Sequence, residues 1–467
     1  MTDLWRMSAT DLAAAIRTKQ VKSREVVEAH LDRIEQVNPQ VNAVTVTLTD
    51  SALAAADAAD AATASGKAEG ALHGVPITVK ENIDCLGSAT TQGIVAMAEA
   101  MPSLDAPQLA RLREQGAIPI ARTNTPDFAM RWHTDNALRG ATRNPWDASR
   151  TAGGSSGGEA AALATGMSCL GLGNDYGGSL RWPSQCNGTA ALRPTMGRIA
   201  TGSSIEPRGG APITIQLYAV QGPMARHVRD LRLAFEHMIA PDPRDAWYVP
   251  APLRGPAVPK RVALCTDPGG MGVDPDIASG VRKAADALRD AGYEIEEVDL
   301  PAIKEARDAW AATVITELKL GFYPMLQPIA SAGALKFLEN AFEAVPELDY
   351  GGYMMAFAGR QAIANAWSEF AARYPLVLAP VATMHPFKVG KDLASPTDVT
   401  EIIDGLRLVV TGNLLGLPVA VVNAGVANGM PLGVQLIGAR FREDLCLDAA
   451  EAIEDRLGIV TPIDPKA

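Results

Sequence analysis

Two serines set in glycine constrain this chain more than any other feature. Ser155 lies in Gly153-Gly154-Ser155-Ser156-Gly157-Gly158, and Ser179 lies in Tyr176-Gly177-Gly178-Ser179. Between them a small-residue helix pattern from Glu159 to Thr165 gives way to an apolar, strand-like run from Met167 to Leu172. Glycine permits backbone paths closed to other residues and lets a ligand approach the main chain. Two such loops on one helix–strand unit can bring two hydroxyls to one cleft. A serine hydroxyl is a weak nucleophile until a neighbour takes its proton. A flexible Gly/Ser linker is the plainer reading, and the apolar residues woven between the loops oppose it.

A base is therefore needed, and Lys80 is a candidate. It ends the short apolar run Gly74-Val75-Pro76-Ile77-Thr78-Val79-Lys80. Burying an ammonium is costly, so burial lowers the pKa of a lysine and frees a neutral amine to act as a base. From spacing alone the alternative stays open that Lys80 reaches the surface beside Glu81. A second arrangement is also written in the chain, because Gly154-Ser155-Ser156-Gly157-Gly158 satisfies the G-x-S-x-G pattern of a nucleophile elbow. An elbow needs a strand before it, and Pro145 to Arg150 is a poor one. It also needs a histidine, and His227, His237 and His385 sit in no telling context. The glycines at 171, 173 and 177 miss the dinucleotide-binding fingerprint.

Helix-period and strand-like segments alternate along the chain, which predicts an α/β fold. Helices are expected over 8–17, 23–37 and 51–66, with Ser8 and Ser23 as N-caps. A helix at 108–115 precedes a strand at 117–122. Residues 241–260 hold six prolines and read as a connector. Strand, helix and strand follow at 261–265, 275–291 and 293–298, then a mostly helical stretch over 303–375 with Trp310, Phe322, Tyr323 and Trp367. Strands at 417–422 and 432–437 and a helix from Glu443 end the chain. The connector is either a domain boundary or a bridge to strands that rejoin the first sheet.

Composition narrows the function classes. A formal charge of -11 leaves no basic footprint for nucleic acid. The five cysteines are scattered without a Cys-x-x-Cys pair, and the six histidines lack metal-ligand spacing, so free thiols in a reduced compartment and no structural metal are expected. No apolar run suits a secretory signal or a membrane span, which makes the cytoplasm the default.

Several ordered motifs together resemble the amidase signature family of serine hydrolases. They are GVPITVKENID, NTPDF, GATRNPWDASRTAGGSSGGEAAALATG, LGNDYGGSLRWPSQCNGTAALRPTMGR, GPMAR and PLGVQLIG. The likeness is dense from 73 to 226 and returns at 416–438. It implies one α/β domain over 1–467, a mixed central sheet with helices on both faces, and a variable region at about 241–400 that builds much of the substrate pocket. It also implies a Ser-cisSer-Lys triad of Ser179 as nucleophile, Ser155 as relay after a cis Gly154–Ser155 peptide, and Lys80 as base. The serines stand 24 positions apart (179 − 155), as in that family. Backbone N–H groups of Tyr176, Gly177, Gly178 and Ser179 would form the oxyanion hole, supported by Ser156, Asp175 and Arg181. No cofactor or metal is implied.

The chain departs from the family pattern at Asn174, where threonine or serine is common, and at Tyr176, Trp182, Ser184 and Gln185, where smaller residues are usual. With Met130 and Trp132 after NTPDF, Trp182 suggests a partly aromatic pocket. The implied activity is hydrolysis of amides of small apolar or aryl molecules, with esters or carbamates open to the same machinery. The alternative is the glutaminase-type subunit of a tRNA-dependent amidotransferase, which needs a partner chain. The segment after Gly197 does not resemble that protein. A homodimer is left open.

Overall fold

Alternate strand residues feed two different apolar cores, and this alternation defines the architecture. Val262, Leu376, Leu378, Ala420 and Val422 pack into one core, while their neighbours Ala263, Val377, Ala379, Val419 and Val421 pack into the other. Such strands are covered on both faces, which is why they read as continuous apolar runs. The computed structural model describes residues 3–205 and 211–466.

Among the described residues eleven strands form one sheet. They are β1 (Val44–Thr47), β2 (Pro76–Lys80), β3 (Ile118–Thr123), β4 (Leu170–Asp175), β5 (Ala190–Arg193), β6 (Val220–Ala225), β7 (Arg261–Leu264), β8 (Glu294–Glu297), β9 (Leu376–Pro380), β10 (Val419–Ala427) and β11 (Met430–Gly438). Their order is β1-β3-β2-β4-β6-β5-β10-β11-β9-β7-β8. The β2 strand is parallel to β3 and β4, and β7 is parallel to β8 and β9, while the centre from β4 through β6, β5, β10 and β11 to β9 is antiparallel. The fold is thus a single domain with a mixed central sheet. The proline connector does not divide it, because residues on both sides of 250 share each core.

Helices Ala9–Arg17, Pro107–Glu114, Val228–Met238, Pro275–Asp290 and Glu443–Leu457 cover one face. Ile303–Glu317, Ala332–Ala344, Pro396–Gly405 and Arg407–Leu415 cover the other. Ser8 caps its helix as expected, accepting from the Asp11 amide at 3.0 Å. Ser23 does not: it is already the first residue of helix Ser23–Val41, and its hydroxyl donates instead to the Gly74 carbonyl at 2.8 Å. Strands β1, β5, β6 and β9 were not evident in the sequence pattern. In β6 the residues Gly222 and Pro223 break any strand signal, yet they pair with Gly173 and Leu172 of β4. All five cysteines are buried and unpaired. No described helix is long and apolar enough to cross a membrane.

Candidate active site

Strand alternation sorts the β2 side chains. Ile77 and Val79 enter the first core, so Thr78 and Lys80 project from the opposite face. In β4, Leu170 and Leu172 do the same, which turns Gly171 and Gly173 toward the face of Lys80. Those glycines are required by what packs there. A Cβ on Gly171 would overlap the Glu159 carboxylate, and one on Gly173 would fall 2.9 Å from Ser156 Oγ. The helix Gly157–Ala164 thereby lies close on the sheet, and the loop before it delivers Ser155 above Lys80.

Lys80 and Ser155 are fully buried, with Lys80 Nζ 2.7 Å from Ser155 Oγ, within hydrogen-bond reach. Nζ also donates to Asn174 Oδ1 at 2.7 Å. Burial disfavours the ammonium and brings the Lys80 pKa down from 10.5 to about 7, against the opposing pull of the Asp175 and Glu159 carboxylates. No carboxylate pairs directly with the amine among the described residues. Glu81 turns away to Arg139, which donates to its Oε1 at 2.6 and 3.0 Å. The peptide between Gly154 and Ser155 is cis.

Ser179 sits on the loop after β4, and its carbonyl accepts from the Ser156 amide at 3.3 Å, which holds the two serine loops against each other. Its hydroxyl makes no hydrogen bond among the described residues. It keeps 6% exposure where Lys80 and Ser155 keep none, so it is the member of the three that a ligand can reach.

Asp175 organises this loop. Its carboxylate accepts from the Gly178 amide at 2.9 Å, from the Leu180 amide at 3.2 Å, and from Arg181 through Nε at 3.0 Å and Nη2 at 2.9 Å. Asn413 donates to it as well, at 2.8 Å. Burial pushes the Asp175 carboxyl up, but the Arg181 guanidinium outweighs it and holds the group well below the usual carboxylate range. Arg181 is in turn fixed to the Val409 carbonyl and to Asn413. Ser156 Oγ leans on the Asn174 carbonyl at 3.5 Å. The Gly178 N–H, expected to serve an oxyanion hole, is donated to Asp175 in this geometry.

Aromatic residues wall the other side of the loop. Trp132 Nε1 donates to the Gly177 carbonyl at 2.8 Å. The Trp310 ring lies on Gly177 so closely that a Cβ there would meet it at 2.8 Å. Trp132 stands 6.2 Å from Trp310 and 5.9 Å from Phe337, and Tyr176 stands 6.2 Å from Trp310. Met130 is half-buried and packs on the same cluster. Trp182 does not join this wall. It is fully buried behind Trp132, stacked on Phe387 at 5.8 Å, with its indole N–H on the Trp132 carbonyl. It therefore packs behind Trp132, one layer back from the ring expected to line a pocket.

The sequence reading missed Trp310, Phe337, Asn82, Asn413 and Glu159 as parts of this site. Trp310 and Phe337 carried the signal of aromatics within the variable region. Away from the site, Asp274, Asp276 and His385 bring three metal-type ligand atoms within 4.8 Å of one another, but His385 and Asn428 already bond to the Asp276 carboxylate there.

The arrangement offers a buried, weakly basic amine bonded to one serine, a second and accessible serine, and a rigid loop beside an aromatic wall. Known proteins share the chain's sequence and fold. The sequence profile of the family described as Amidase matches residues 25–447. An indoleacetamide hydrolase of Bradyrhizobium diazoefficiens is 45% identical, covering 98% of this chain and 88% of that protein. One of the subunits of the glutamyl-tRNA(Gln) amidotransferase of Salinispora arenicola is 31% identical, covering 99% of each. A solved bacterial aryl acylamidase of the amidase signature family superposes with a TM-score of 0.82 at 27% identity, covering 96% of each chain.

Proposed function

We propose, on the premise that this chain belongs to the amidase family and hydrolyses amide C–N bonds, that its substrates are small arylacetamides and that Ser179, Ser155 and Lys80 are the catalytic groups. The observation that carries the reading is the fully buried amine of Lys80 bonded at 2.7 Å to Ser155 Oγ, one loop away from the accessible Ser179.

In this reading neutral Lys80 accepts the proton of Ser155 as Ser155 accepts the proton of Ser179. Ser179 Oγ bonds to the amide carbonyl carbon, and the carbonyl π electrons move onto oxygen. The amides of Tyr176, Gly177 and Ser179 take up that oxyanion, since the Gly178 amide is committed to Asp175. When the tetrahedral intermediate collapses, Lys80 returns its proton through Ser155 to the departing nitrogen, which leaves as ammonia or an amine. The acyl group stays on Ser179 as an ester. Water then attacks that ester and gives a proton to the same relay, which returns it to Ser179 Oγ as the ester C–O bond breaks and the carboxylic acid departs.

The aryl preference rests on Trp132, Trp310, Tyr176 and Phe337, which give a flat apolar ring stacking partners beside the reacting loop. It agrees with the name of the 45% identical relative. The amidotransferase reading is weaker, because identity falls to 31% and an aromatic wall suits the polar side chain of glutamine poorly. Within the segment after Gly197 that distinguishes this reading, residues 206–210 lie outside the described residues. The test is a panel of indoleacetamide, acetamide-type aliphatic amides, anilides, esters, carbamates and glutamine, read by ammonia or acid release. A higher kcat/KM for the arylacetamide supports the proposal; a preference for glutamine or aliphatic amides overturns it.

A further inference from the structure

A neutral amine has two N–H donors and one lone pair. To take the Ser155 proton, the lone pair of Lys80 must face Ser155 Oγ, so its N–H bonds must be engaged elsewhere. The structure supplies an acceptor. Lys80 Nζ donates to Asn174 Oδ1 at 2.7 Å, and Asn174 Nδ2 donates to Asn82 Oδ1 at 3.0 Å. Asn82 lies two residues beyond Lys80, and Asn174 lies on β4. If the Asn174 amide were reversed, its NH2 would donate to the amine and occupy the lone pair that catalysis needs. Asn82 opposes that reversal, because its Oδ1 holds the Asn174 NH2 on the far side.

We infer that Asn82 and Asn174 are positioning residues that fix the hydrogen-bond polarity of the site, so that Lys80 donates to Asn174 and keeps its lone pair for Ser155. This inference rests on the reading of Lys80 as the base. It accounts for an asparagine at 174, whose amide presents an oxygen that only accepts while its nitrogen anchors that oxygen's orientation. A threonine hydroxyl rotates and either donates or accepts, so it sets no polarity.

The charged groups facing the amine are few. Asp175 at the end of β4 is neutralised by Arg181, Glu159 comes from helix Gly157–Ala164, and Glu81 is paired with Arg139. A new carboxylate at 174 therefore acts on Lys80 at short range.

The test is the pH dependence of kcat and KM for a primary arylacetamide in the wild type, Asn174→Asp, Asn82→Leu and Lys80→Ala. Asn174→Asp is isosteric and keeps an acceptor on Lys80, but its charge stabilises the ammonium. The acid limb of kcat is expected to move up by about one unit or more, lowering the rate at pH 7 about fivefold or more while the alkaline plateau recovers. Asn82→Leu frees the Asn174 amide to reverse, and kcat is expected to fall about tenfold at all pH values with KM within about twofold. An unmoved acid limb in Asn174→Asp, or an unchanged kcat in Asn82→Leu, overturns the inference. If Lys80→Ala is inactive in that case, the base assignment survives; an active Lys80→Ala enzyme removes the base assignment and this inference together.

Discussion

Glu159 is bonded to the hydroxyl of Thr123, the residue paired directly with Lys80 across β2 and β3. Its other carboxylate oxygen accepts from Thr78, two residues before Lys80 on the same strand face. The carboxyl is fully buried among hydroxyl donors, with no direct cation partner among the described residues. Burial pushes it up from 4.5 to about 7, against the lowering pull of the two threonines and Lys80. A carboxyl that burial pushes up and an amine that burial pushes down therefore lie against the same pair of strands.

Replacing Glu159 with Gln tests that coupling. Loss of the carboxylate removes a group that favours the Lys80 ammonium, so the acid limb of activity should move to lower pH. Stability gives a second readout with its own sign. A carboxyl with a raised folded pKa binds more protons in the native state than in the unfolded one. The stability it contributes at low pH is lost as pH rises from about 4.5 through about 7. In Glu159→Gln that fall in Tm between pH 4.5 and 7 should flatten; an identical Tm profile contradicts the coupling.

For the nucleophile, Ser179→Ala should abolish turnover and acyl-enzyme trapping while leaving Tm within a few degrees, because one accessible hydroxyl contributes little to stability. Ser155→Ala should lose activity by about a thousandfold or more and keep a trace, since water can stand in for the relay. A Ser179→Ala enzyme that turns over normally beside an inactive Ser156→Ala enzyme would move the nucleophile to the elbow arrangement.

Activity of the wild type should rise with pH through about 7 as Lys80 becomes neutral. Lys80→Arg should not restore Lys80→Ala, because a guanidinium cannot surrender its proton. Measured pH–rate profiles and the rate of the arginine variant check both statements.

Asp175→Asn should destabilise the fold more than any change to the serines. It leaves Arg181 buried without its carboxylate, a loss of about 3–5 kcal/mol for a broken buried pair. It also loosens the Gly178 and Leu180 amides. Chemical denaturation should show the drop; an unchanged midpoint would mean that Asn413 and Val409 suffice to satisfy Arg181.

Two tryptophans should separate chemistry from selection. Trp310→Ala should raise KM for an arylacetamide about tenfold and leave an aliphatic amide within about twofold. Trp132→Phe keeps a ring but loses the N–H on Gly177, so kcat should fall several-fold for both substrates. Equal effects of the two variants on both substrates would refute the division.

That Lys80, Ser155 and Ser179 come together was legible because their motifs are local: each lies in a short glycine or strand context that one stretch of sequence carries. Strand alternation likewise gave Lys80 its inward direction and turned Glu81 elsewhere. What stayed hidden is long-range. Trp310 meets Gly177 only because helix Ile303–Glu317 folds back over the β4 loop, and Asn413 reaches Asp175 across 238 positions. The bond from the Gly178 amide to Asp175, three residues earlier, was hidden for the same reason in miniature. Strands such as β6, with glycine and proline inside, are specified by their neighbours and not by their own pattern.

The hydrogen bond from Trp132 to the Gly177 carbonyl ties the aromatic wall to the loop that carries Ser179. An evolving lineage that needs a roomier pocket finds Trp132 the obvious side chain to shrink, yet each such step also slackens the catalytic loop. Among the described residues, the Trp310 and Phe337 side chains carry no such tie to the backbone. New substrate ranges should therefore be reached through those two positions first, with Trp132 left as the fixed point around which the pocket diversifies.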